Sequence, residues 1–218
     1  MFGAVIKTRK RTALLYDAIE EVLSMLERAE RMFAIVCGCL LSEEEAAANV
    51  DKEDKAINAG EALVRRLILE HLTLNPDQDL PTSLAVLSII HDVERLGDYA
   101  KSLVELNQFS HLCDGDSPHA QQCSEIHGAI APLFGQTLEA LRESDAQLAA
   151  TVMRRHEEIK KTSDEFLETV MAGIDTQRDA VLFPLSTRYF RRTSAHLANI
   201  ASSVANSLDR ISGKVAER

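Results

Sequence analysis

A chain of 218 residues can bury enough surface to fold as one large domain or two small ones without disulfides or a structural metal. Aromatics make up 5%, Trp is absent, Gly and Pro are scarce, and Ala, Leu, Glu and Arg fill the periodic stretches, which disfavours strands and predicts an all-α fold. A formal net charge of −10 argues against a nucleic-acid partner, because backbone phosphates require a concentrated basic face.

No segment reaches the roughly 18 apolar residues of a transmembrane helix, and Met1 to Arg11 lacks the apolar core of a signal peptide. A cytoplasmic protein is expected. Cys37, Cys39, Cys113 and Cys123 make no Cys-x-x-Cys pair, so reduced thiols are expected too. Lys7, Arg9, Lys10 and Arg11 read as a solvated charge run.

The first predicted helix runs from about Arg11 to about Leu40. Its seam is Leu15, Ala18, Val22, Met25, Ala29, Met32 and Val36, spaced alternately three and four apart. Ser42 followed by Glu45 is a capping-box pattern opening a second helix, which Asn75-Pro76 ends near Leu74. A third helix starts around Pro81 and carries the stripe Val86, Ile90, Val93, Gly97, Ala100 and Val104. The turn-forming run Asp114-Gly115-Asp116-Ser117-Pro118 marks a boundary, dividing the chain into units at 1–110 and 111–218.

Three more helices follow: one to about Arg142, one from Ser144 to about Ile174, and one from about Asp179 to Ile211. Val152 and Ile159 take the places of Val50 and Ile57, while Phe190, Leu197 and Ile200 take those of Val93, Ala100 and Leu103. The prediction is two tandem three-helix bundles, six long helices in all.

Within the second helix the seam reads Val50, Asp54, Ile57, Glu61, Val64, Ile68, so two carboxylates stand where apolar side chains are expected. Glu94 and Asp98 lie four apart on the third helix, one turn from each other on one face. Two neighbouring helices that each offer a carboxylate pair supply oxygen ligands for a cation, and the cation relieves the repulsion between them. The same spacing also suits a solvated acidic edge paired by Arg65, Arg66 and Arg95.

The run Ile89-Ile90-His91-Asp92-Val93-Glu94-Arg95-Leu96-Gly97-Asp98-Tyr99-Ala100 resembles the signature helix of the PhoU family, in which an acidic-x-x-x-Asp pair sits in a DLERIGDHA-like sequence. Asp54-x-x-Ile57-Asn58-x-x-Glu61 is similar to that family's preceding helix, and the segment from Leu74-Asn75-Pro76 to Leu80-Pro81 to its connecting loop. The resemblance implies side-by-side three-helix bundles, a metal ion or cluster on the acidic motif, and control of phosphate uptake and phosphate signalling. Carried across residue by residue, it makes Asp54, Glu94 and Asp98 ligands, with Asn58 and Glu61 beside them. The metal would be iron, zinc or manganese. The implied partner is a membrane phosphate transporter or a phosphate-signalling protein, met at the inner face of the membrane, and a homodimer is compatible with this.

The second unit departs from the motif. Arg191 falls opposite Glu94, Ala195 opposite Asp98, His156 opposite Asp54 and Lys160 opposite Asn58, so one metal site is expected, in the first unit. Arg188, Arg191 and Arg192 are candidates for holding an anion or an acidic partner, against the alternative of ordinary surface charge. His111, Cys113, His119, Cys123 and His127 match no standard zinc module. No Gly-rich phosphate loop and no readable set of nucleophile, base and orienter is present, so binding is expected in place of turnover. Two other readings stay open. A carboxylate-bundle metalloenzyme is the first, although no Glu stands three before any His as its Glu-x-x-His motif requires; a metal-free helical adaptor is the second.

Overall fold

A computed structural model describes residues 13–36, 43–107, 109, 118–173 and 176–205. Among them are six helices: α1 (Ala13–Val36), α2 (Glu43–Leu74), α3 (Leu80–Asn107), α4 (Pro118–Glu143), α5 (Ala146–Ala172) and α6 (Gln177–Ala205). The predicted all-α fold is borne out. The Ser42 cap, residues 110–117 of the linker, Cys37, Cys39, Cys113, His111, the basic cluster at 7–11 and the predicted extension to Ile211 lie outside the described residues.

Each helix forms for the reason its spacing gives. All seven seam residues of α1 are buried, as is the whole stripe of α3. At the end of α2, Asn75 donates its backbone N–H (2.8 Å) and its side-chain amide (3.3 Å) to the His71 carbonyl, which satisfies an acceptor the helix leaves unpaired. Two starts differ from expectation. Ser144 stands outside α5 at φ 54°, and Asp145 is the cap, its carboxylate accepting from the N–H groups of Gln147 and Leu148 at 2.8 and 3.0 Å. Helix α6 begins at Gln177, two residues before the predicted Asp179, because the Thr176 hydroxyl accepts from the Asp179 N–H at 3.1 Å.

Helices α1, α2 and α3 pack on one another, and α4, α5 and α6 do the same. The two bundles join through α3 against α6 and α1 against α4, so equivalent helices meet and α2 and α5 lie at the flanks. Phe33 of α1 is central to the junction. Its ring stacks on His127 at 4.6 Å and lies 5.2 Å from Phe134 and 6.0 Å from Phe190.

The α3–α6 seam is self-complementary. Asp92 accepts from His196 Nδ1 at 2.5 Å and from Asn199 Nδ2 at 3.1 Å, and Tyr99 lies 5.8 Å from Tyr189. With Val93 and Phe190 equivalent, His196 holds the place of Tyr99 and Tyr189 that of Asp92. Each contact is therefore the counterpart of the other, as across the two-fold axis of a dimer.

Candidate functional site

The acidic motif lies along the packed interface of α2 and α3. A Cβ at Gly97 would stand 3.0 Å from Ile57 Cδ1, so the missing side chain lets α3 settle against α2 midway between Asp54 and Glu61. Val50, Ile57, Val64 and Ile68 fill the interface, and the polar residues of the same face emerge at its margin.

Glu94 is the most desolvated member of a coupled group. Its Oε2 is buried and accepts no hydrogen bond, although His91 Nδ1 and Arg95 Nε come within 3.4 and 3.6 Å. Burial, and then the Asp98 and Glu61 charges, raise its pKa above the ordinary glutamate value, with Arg95 and His91 opposing. Asp98 accepts from Arg95 Nη1 at 2.8 Å, and Glu61 from Arg65 Nη2 at 2.6 Å. Glu94 thus feels the charge of Asp98 on its own helix and, more weakly, that of Glu61 across the helix pair.

Asp54 has a different neighbour. It is only 8% exposed, and Lys101 Nζ reaches its Oδ2 at 3.3 Å while approaching Asp51 at 3.9 Å. The hydrogen bond and charge of Asp54 raise the Lys101 pKa. Asn58 is exposed. Sequence spacing named the arginines that balance this face but missed Lys101, because the Lys101–Asp54 contact crosses from α3 to α2. Among the described residues, no three His, Cys, Asp or Glu side chains are grouped as a metal-holding set. Glu94 offers a buried oxygen that accepts no hydrogen bond, with the Arg95 guanidinium 3.6 Å away. At Asp54 an ammonium already supplies the positive charge.

The PhoU domain model matches the chain twice, over residues 22–106 and 124–204. The chain belongs to the PhoU family. An uncharacterised protein of Deinococcus radiodurans is 25% identical over 198 residues, covering 87% of each chain. The crystal structure of PhoU from Pseudomonas aeruginosa superposes with a TM-score of 0.77 at 22% identity, covering 88% of this chain and 95% of that one. The phosphate transport system regulatory protein PhoU from Streptococcus pneumoniae gives 0.77 at 16% identity, with 94% and 98% covered. Both PhoU structures share the six-helix fold.

In the second PhoU repeat, the four residues opposite the acidic motif line one cleft between α5 and α6. His156, Lys160, Arg191 and Ala195 meet there with Arg188 and Arg192, around a volume of about 380 Å³. His156 Nδ1 lies 2.9 Å from Ser194 Oγ, whose own proton goes to the Arg191 carbonyl at 2.9 Å, so Nδ1 is the donor and Nε2 is the free nitrogen of the neutral ring. Burial chiefly, together with Lys160 and Arg191, lowers the His156 pKa, against Glu157.

Proposed function

We propose that the protein is a regulator of phosphate transport that works by binding, with carboxylates of its first repeat holding a metal ion and its helical surfaces engaging a membrane phosphate transporter or a phosphate-signalling protein from the cytoplasm. The observation that carries the metal assignment is the buried Glu94 oxygen without a donor, flanked by Asp98 and Glu61 within the motif that the first PhoU match spans. Glu94, Asp98 and Glu61 would form the core of the ligand set, and Asp54 and Asn58 would join once Lys101 moves aside. Iron, zinc and manganese all accept such carboxylate oxygens. Bound there, the ion would supply positive charge that ties α2 to α3.

Membership of the family and the likeness to the Streptococcus pneumoniae regulator support the phosphate reading. No described helix is long and apolar enough to cross a membrane, so engagement of a transporter would run through protein contacts. A metal-free adaptor is the second reading, favoured by the partners already on Asp54, Glu61 and Asp98.

Elemental analysis of the protein purified from metal-replete cells, beside a Glu94→Ala/Asp98→Ala variant, separates the two. Stoichiometric iron, zinc or manganese that disappears in the variant is the expected result; no metal in either chain leaves the adaptor. Phosphate uptake in cells lacking the gene, complemented with each version, tests the regulatory half.

A further inference from the structure

The cleft between α5 and α6 has no part in that reading, and its charge is the reverse of the first repeat's. Two of its cations are balanced: Arg191 is ion-paired with Asp164, and Lys160 lies 3.2 Å from Glu157. Arg188 and Arg192 have no carboxylate partner among the described residues. They stand four apart on α6, where like charges on one face repel unless an anion lies between them. At the position equivalent to Asp98, Ala195 leaves space and removes a carboxylate that would otherwise oppose an anion.

The geometry points to a phosphate-binding site: the α5–α6 cleft takes a phosphate group, free or at the end of a small monoester, between the guanidinium forks of Arg188 and Arg192, with Lys160 and His156 beside it. Planar guanidinium groups match two phosphate oxygens at a time, and their hydrogen bonds to an anion are among the stronger ones. A volume of about 380 Å³ admits such a small anion and its waters. His156 adds a signature. The charges facing it are Glu157 and Lys160 on its own helix and Arg191 on α6, and with the ring neutral its Nε2 is unprotonated. A doubly charged anion in the cleft offsets Lys160 and Arg191, and the ring then takes up a proton at Nε2. Binding is therefore coupled to proton uptake.

Inorganic phosphate and glycerol 3-phosphate are titrated calorimetrically into the full chain with a chelator present, so that metal in the first repeat plays no part. Saturable binding with a dissociation constant below about 1 mM is expected, weakening with added chloride. Arg188→Gln/Arg192→Gln should lose about tenfold or more, while Lys161→Gln, which removes an exposed cation outside the cleft, binds like wild type. Both arginines are exposed, so circular dichroism should confirm an intact fold. The stronger of the two ligands identifies the source. The dependence of the binding heat on the buffer's ionisation enthalpy should show more proton uptake in wild type than in His156→Gln, where only the ligand's own ionisation remains. Absence of saturation by about 10 mM of either ligand, or equal affinity in the double-arginine variant, overturns the proposal. Neither result depends on whether the first repeat holds metal.

Discussion

Because burial, Asp98 and Glu61 raise the Glu94 pKa, the folded chain holds that proton more tightly than the unfolded one. The resulting stability is fully present below the ordinary glutamate pKa of 4.5 and is lost as pH rises through the folded pKa. In chelator at pH 7, Glu94→Gln should therefore melt about 1–2 °C above wild type, an advantage that vanishes in acid; differential scanning calorimetry across pH checks it. The same variant should lose any melting shift given by added metal. Lys101→Gln releases Asp54 and should tighten metal binding by about tenfold, read by titration, while stability changes by less than ~1 kcal/mol because the ammonium is part-exposed. Two histidines work in the opposite pH direction to Glu94. Burial lowers the pKa of His127, stacked on Phe33, and of His156. The unfolded chain then binds more protons just below pH 6.5, so stability falls as pH drops from that value. His127→Gln should flatten this acid limb, by at most about 1.4 kcal/mol per pH unit.

Helix packing decides how the site residues meet, and it was only partly readable in advance. Spacing gave six helices, since three-four alternation of apolar residues survives any tertiary context, and the Asn75-Pro76 stop was explicit. Caps were less legible. Ser144 and Asp145 both suit a helix start, and only the backbone turn at Ser144 decides between them. Proline signals were ambiguous as well: Pro132 and Pro184 stand inside α4 and α6, where the flanking periodicity carries the helix through them. Glu61, Glu94 and Asp98 were identifiable because carboxylates interrupt or border apolar stripes. Lys101 was not, because a contact between helices leaves no period in either one. Close approach also depends on Gly60, where a Cβ would lie 2.7 Å from Glu21 Oε1 and 2.8 Å from Met25 Cγ. Gly60→Ala should push α2 off α1 and cost a net ~1 kcal/mol, the overpacking exceeding the gain in helix propensity; chemical denaturation measures it.

Across the whole molecule, the two bundles are held by paired contacts between equivalent helices. Asp92–His196 is the polar half of the α3–α6 seam, and an Asp92→Asn/His196→Gln double-mutant cycle should return a coupling of about 1 kcal/mol in unfolding free energy. The duplication was visible in the sequence as matching helix lengths and a shared register. The self-matching seam was not, because Asp92 and Tyr99 have no chemical likeness to Tyr189 and His196 that a comparison of residue types would detect. A dimer assembled from two identical bundles would have to present the same face twice, so any change to one side would appear on the other. Joining the halves in one polypeptide removes that obligation. Each half can then change on its own while the shared seam keeps both at a fixed distance, and here Glu94 and Asp98 of the first repeat are matched by Arg191 and Ala195 at the equivalent positions of the second.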